Sequence, residues 1–349
     1  MSNKKDFSRE AYINVTYKHS ARTVFILGTP RSGTSWLGKI LDSHPDVLYR
    51  HEPDIIDRNE TLPFLCEPER AASYVANAQS WLDDLAKNRF LKSAGSQPVF
   101  RKSYHTPLQT RFRRLIVTAL RTAGQIPGIR NLAQSIPIPD FVDLASRAYG
   151  KLVIKSVSCM GRARILAEAA PDSRFILIIR HPCGQVASMR QGVEESRFEH
   201  EIPILSISET EQARRRSLTA ERLAQLPYFE QLTWSWTIHN EKALEDLQGA
   251  EHLMVLRYED LTESPEEMSR RIFDFCEIDW RPENLAFLAD SSRATGREGY
   301  YQTRRNPVEA ANRWRRFWSQ DEIDAIFEIA AQSDPGRMFL TDGNILERA

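Results

Sequence analysis

The sequence predicts an α/β fold with a central parallel sheet flanked by helices. Two observations predict it. Short apolar runs of strand length alternate with helical patterns, and the first run opens through a small-residue loop directly into a helix. Thr23–Leu27 (TVFIL), 152–154 (LVI), Arg174–Ile179 (RFILII) and 252–256 (HLMVL) are apolar without alternation, the mark of strands covered on both faces. After the first run, residues 35–43 (SWLGKILDS) put Trp36, Leu37, Ile40 and Leu41 on one helical face. After the second, MGRARILAEAAP reads as a short helix closed by Pro171; after the third, CGQVASMRQG reads as a helix closed by Gly192. Two insertions interrupt the alternation. Residues about 60–148 read as mostly helical, broken at Pro98, Pro107, Gly124, Pro127 and Pro137. Residues about 193–245 start as a polar loop and end as a helix carrying Trp234, Trp236 and Asn240. Near the end, EIDAIFEIAAQ is a further amphipathic helix.

The 349 residues are enough for one large domain with a real core, and 41% hydrophobic with 27% charged residues is ordinary for a globular chain. Lysine plus arginine equals aspartate plus glutamate at 47 each, so net charge does not select a partner, nucleic acid included. Local charge is uneven: residues 85–139 hold no acid but carry Lys87, Arg89, Lys92, Arg101, Lys102, Arg111, Arg113, Arg114, Arg121 and Arg130. The cysteines at 66, 159, 183 and 276 form no close pair, so neither a disulfide framework nor a zinc site is expected. The first residues lack an apolar stretch long enough for a signal peptide, and no run of about 18 apolar residues occurs, so a cytoplasmic setting is expected.

The stretch TVFILGTPRSGTSW resembles a nucleotide phosphate loop, with Gly28, four residues, Gly33, Thr34 and Ser35, and the sheet is therefore read as P-loop-like. Backbone N–H groups at the start of the following helix, together with the helix dipole, make an anion site. Arg31, Ser32, Thr34 and Ser35 add a planar donor fork and three hydroxyls. A P-loop kinase would carry lysine after Gly33 and an aspartate for magnesium after a later strand. Neither is present, and the third run ends instead in Arg180, with Ser188 placed in the next helix. An arginine at a strand end and a serine on the helix that folds back beside it suit a second anion rather than a metal.

With both motifs, the chain resembles sulfotransferases that use 3′-phosphoadenosine 5′-phosphosulfate (PAPS). The resemblance covers roughly residues 22–54 and 150–192, and more weakly 255–278 (VLRYEDLTESPEEMSRRIFDFCEI). It implies that Pro30, Arg31, Ser32, Gly33, Thr34 and Ser35 hold the 5′-phosphosulfate, that Arg180 and Ser188 hold the 3′-phosphate, and that no metal is required. Pro-Arg-Ser-Gly-Thr is similar to the loop of carbohydrate and tyrosylprotein sulfotransferases and their bacterial relatives, which implies a hydroxyl acceptor on a sugar, glycolipid or other metabolite, with a peptide tyrosine as the alternative. The family closes a basic C-terminal loop over its cofactor. Residues about 293–320 match that segment, with Tyr301, Arg304 and Arg305 as ligands and Trp314 packed beside the loop.

An acceptor hydroxyl must lose its proton as it attacks sulfur. In YRHEPD the resemblance marks Glu52 as that base; His51 is the rival, and neighbours on an extended strand point to opposite sides. His105 in RKSYHTP is a second rival, read otherwise as a solvated loop histidine. Lys155, on LVIKSVS, is expected to face the cofactor or the transferred group. Within the acid-free insertion, Leu108, Phe112, Leu115, Ile116, Ala119 and Leu120 form one helical stripe beside Arg111, Arg114 and Arg121. Core packing of that stripe is the expectation; peripheral membrane contact through 108–121, or contact with an acidic acceptor, is the alternative.

Overall fold

The computed structural model describes residues 19–145, 148–196, 201–293 and 307–340. Its centre is a five-stranded, all-parallel sheet: β1 Thr23–Leu27, β2 Val47–His51, β3 Lys151–Ser156, β4 Arg174–Ile179 and β5 Leu253–Arg257, in spatial order β2-β3-β1-β4-β5. Every residue of β1 is buried, because helices cover both faces. The period-two alternation of a strand divides its side chains between two cores. Phe25 and Leu27 join one apolar cluster, Val24 and Ile26 the other. Each such large side chain contributes roughly 1.5–3 kcal/mol by leaving water.

The helices that matter to the site are α1 Thr34–Asp42, α2 Val75–Lys87, α3 Leu91–Ala94, α4 Pro107–Ala123, α5 Arg130–Ser135, α6 Ala163–Ala169, α7 Pro182–Glu194, α8 Tyr228–Leu247, α9 Tyr258–Glu263 and α10 Gln320–Ala330. Helix α1 packs on the Val24/Ile26 side, whereas α2, α6, α8 and α10 build the Phe25/Leu27 side. The carboxyl ends of β1, β2, β3 and β4 share one edge of the sheet. From β1 the chain crosses to β2 on one side, and from β3 it crosses back past β1 to β4. Open α/β sheets bind ligands at that reversal, outside the carboxyl ends.

Several expectations are corrected. Strand β2 was not anticipated: VLYRH carries an arginine and a histidine, and the fully buried Arg50 is tolerated because its guanidinium donates to the Asp140 carboxylate (2.5 Å) and the Ala86 carbonyl (2.8 Å). The second apolar run, 152–154, extends to Lys151–Ser156, and 252–256 shifts to Leu253–Arg257. Gly192 does not close its helix; α7 runs on to Glu194. The 193–245 insertion carries short helices before α8 rather than one polar loop. The stripe on α4 divides: Ile116 and Leu120 pack beside Leu91, Val117 and Ile138, while Leu108, Phe112 and Leu115 face solvent. His105 is buried rather than solvated, with Nε2 against the Asp140 carbonyl at 2.5 Å.

Candidate active site

A cleft of about 540 Å³ lies over the carboxyl ends of the central strands. One wall is the loop between β1 and α1. Arg31 (φ 71°) and Gly33 (φ 94°) both adopt left-handed backbone there, which turns the chain sharply enough for α1 to begin at Thr34. The start of α1, where Thr34 and Ser35 line the cleft, therefore presents its first N–H groups to it, ahead of Trp36 and Leu37, whose N–H groups donate to the Gly33 carbonyl. Gly33 packs against the Tyr258 ring; a Cβ there would fall 2.2 Å from a ring carbon. Gln185 of α7 pins the loop by donating to the Pro30 carbonyl at 2.8 Å.

The second wall comes from β4, α7 and residues 310–317. Arg180, directly after β4, donates to the Arg31 carbonyl (3.0 Å) and the Ala310 carbonyl (2.8 Å), and its guanidinium lies 5.0 Å from the Tyr258 ring centre. Arg31 Nε donates to the Ser188 hydroxyl at 3.0 Å. The structure thus joins the two anion motifs: a residue of the first loop touches the serine of the second. The buried Arg180 Nε, on the cleft wall, has no hydrogen-bond partner among the described residues, a donor that suits an anion supplying the acceptor; the buried hydroxyls of Thr29 and Ser32 also lack partners, but these two residues do not line the cleft. These residues fit a phosphosulfate and a phosphate bound side by side.

Aromatic groups stiffen this wall. Trp236 of α8 donates to the Arg180 carbonyl at 3.1 Å, and Trp314 stacks on His181 with ring centres 4.4 Å apart. Burial, with Arg180 second, depresses His181 to about 3, so that ring is neutral at physiological pH. Glu259 accepts from the His181 backbone N–H at 3.1 Å, and burial, opposed by Arg180, raises its carboxyl to about 7. Its folded pKa lies above the ordinary 4.5, so this group's contribution to stability is complete below 4.5 and is lost as pH rises through about 7. Thermal unfolding should therefore show Glu259→Gln gaining about 2–3 kcal/mol on the native protein between about pH 5 and pH 8. An unchanged difference would mean that Glu259 is ionised throughout.

The third wall is a charged corner. Glu52 leaves β2 with φ 48°, its N–H bonded to the Lys155 carbonyl at 2.8 Å. That left-handed kink breaks the strand alternation, and for this reason His51 and Glu52 both line the cleft instead of pointing apart. The Glu52 carboxylate is paired with the buried Lys155 ammonium and, at 3.2 Å, with Lys92 of α3. Burial alone would raise the acid, but Lys155, His51 and Lys92 together hold it down to about 2. His51 is depressed to about 3 by burial and Lys155, and its Nδ1 lies 2.9 Å from the Tyr49 hydroxyl. Lys155 thus faces Glu52 as well as the cleft. His105 lies outside this cleft, in a small cavity with Arg113 and Asp140.

Tyr301, Arg304 and Arg305 fall outside the described residues. Sequence reasoning did not single out Lys92, Gln185, Tyr258 or His181. Tyr258 had a readable signal, since it follows β5 as Arg180 follows β4, at the strand end where ligands bind. Among the described residues, no group of three or more His, Cys, Asp or Glu side chains is arranged to hold a metal ion.

Comparison with known proteins gives a consistent relationship. Mouse (Mus musculus) carbohydrate sulfotransferase 2 is 24% identical over 351 aligned residues, covering 88% of this chain and 63% of the relative, so the chain spans under two thirds of that protein. Mouse carbohydrate sulfotransferase 4 is 24% identical over 324 residues, covering 85% of this chain and 76% of the relative. The solved sulfotransferase domain from the curacin biosynthetic pathway is 16% identical and covers 88% of this chain and 96% of that one, with a TM-score of 0.43. Residues 23–282, which include the β1 loop, the Glu52 corner and the arginine after β4, match the family described as the sulfotransferase family, and the chain belongs to it.

Proposed function

We propose that the protein is a PAPS-dependent sulfotransferase acting on a hydroxyl of a carbohydrate or a related small acceptor. One observation carries this reading: two contiguous anion cradles and a carboxylate–ammonium pair open into the same cleft. PAPS supplies the sulfuryl group when bound. Pro30 to Ser35 cradle its 5′ end, and Arg180 with Ser188 receives the 3′-phosphate. Gly33 keeps the backbone close enough for the N–H groups of α1 to reach the anion.

Glu52 takes the proton from the acceptor hydroxyl as its oxygen attacks sulfur. The new bond forms to sulfur, the sulfur–phosphate oxygen bond breaks, and adenosine 3′,5′-bisphosphate leaves. In the free protein Lys155 holds Glu52 as a weak base. When that ammonium turns to an arriving phosphosulfate, the carboxylate loses its strongest counter-charge and its proton affinity rises, while Lys155 and Arg31 neutralise charge on the departing oxygens. Binding would then switch on the base. The four cysteines are free thiols, which fits a reducing, cytoplasmic setting. A carbohydrate acceptor is supported by the two carbohydrate sulfotransferase relatives.

Incubation with isotope-labelled PAPS and a panel of sugars, glycolipids and phenols tests the proposal. The expected product is a sulfate ester of a sugar hydroxyl, detected by mass spectrometry as the gain of one SO₃. Transfer to tyrosyl peptides in preference to sugars would reassign the acceptor. Magnesium-dependent consumption of ATP, with no transfer from PAPS, would remove the proposal.

A further inference from the structure

We propose that the α4–α5 hairpin is a docking surface for an anionic lipid membrane. A soluble helix normally turns its apolar stripe inward. On α4 the inward face is anchored by Thr110 and Val117, and the opposite face carries a second apolar stripe of Leu108, Phe112 and Leu115, which are 76%, 49% and 70% exposed. Their spacing of four and three residues places them one above another. Phe112 also meets the exposed Phe141, with ring centres 6.3 Å apart, and Ile126 and Leu132 add further exposed apolar surface along the hairpin. Leu108, Leu115 and Leu132 stay mostly in water and Phe112 and Phe141 cover each other only in part, and an apolar patch left in water marks an interaction site.

Charge selects the occupant. Arg111 and Arg114 are exposed on α4 along one side of the stripe, and Arg130 is exposed at the start of α5. Residues 85–139 hold no carboxylate. A narrow apolar stripe edged by arginines, on a helix too polar to span a bilayer, is the pattern of a helix lying in the headgroup region of anionic lipid. A protein partner of ordinary mixed surface would be matched by both signs of charge. The surface adjoins the cleft, because α3, which carries Lys92 to Glu52, packs against both α4 and α5.

The test is co-sedimentation of the 349-residue chain with vesicles, read without substrates and so independent of catalysis. Vesicles of phosphatidylcholine with one third phosphatidylglycerol should bind the protein at low salt. Binding should be weaker by about tenfold or more with phosphatidylcholine alone or at high salt. Combined Leu108→Ser, Phe112→Ser and Leu115→Ser replacement should weaken binding by about tenfold or more, while cooperative unfolding and helix content are retained, because Thr110 and Val117, which anchor the helix, are untouched. No binding to anionic vesicles at low salt overturns the proposal, as does binding that the triple variant retains. A native dimer that the triple variant converts to a monomer assigns the face to a second copy and also overturns it.

Discussion

Glu52→Gln is expected to lower kcat by roughly 10²–10⁴-fold, the range for losing a positioned general base, while affinity for adenosine 3′,5′-bisphosphate changes little. Gln is the informative replacement because its carbonyl still accepts from Lys155; truncation to Ala would leave that buried ammonium unpaired and mix folding with chemistry. A variant keeping kcat within about tenfold of the native value would move the base role to His51, the other titratable group at this corner. The pH profile separates the states. The free-protein carboxyl sits at about 2, so kcat/KM should show no acid limb from Glu52 near the ordinary 4.5; kcat, which reports the complex, should show one at higher pH if Lys155 is drawn away. Lys92→Met should shift both limbs upward by removing a second counter-charge.

Gly33→Ala should damage both binding and stability. A left-handed φ of 94° costs a residue with a Cβ about 1–2 kcal/mol, and the Cβ would collide with Tyr258, an overpacking cost of about 1–3 kcal/mol. Relief of that clash moves Tyr258, over which the Arg180 guanidinium rests, so both anion cradles shift together. Isothermal titration with adenosine 3′,5′-bisphosphate should show affinity reduced by at least about tenfold, since 1.4 kcal/mol of misplacement suffices for that. Native affinity in this variant would dissociate the loop geometry from anion binding.

The buried strands and the loop were legible because their signals are local. A short, β-branched-rich apolar run such as FILII, too short for a helix of its own, reads as a strand covered on both faces, and small residues after TVFIL announce a turn into a helix. What stayed hidden depends on partners distant in the chain. VLYRH reads as a strand of this sheet once its buried Arg50 is seen to pair with Asp140 and Ala86, both distant in the chain. Glu52 and His51 share a cleft because of one backbone dihedral that no residue pattern announces. The stripe on α4 was visible as periodicity, but periodicity does not say which way a stripe faces; Leu108 and Leu115 turn outward while Val117 holds the core. Lys92 reads as one more cation in a basic stretch until β2 and α3 bring it to Glu52.

Strands β1 and β4 are adjacent, and each ends in one of the two anion cradles. The two loops therefore leave the sheet a single interstrand spacing apart, about 4.8 Å, a length fixed by backbone hydrogen bonds rather than by side chains. The sheet acts as a ruler for the anions that the two loops are proposed to receive. Substitutions on the exposed faces of the two insertions leave that ruler untouched, whereas changes at Ala86, Lys92 or Asp140 reach β2 and Glu52 and disturb the corner beside it.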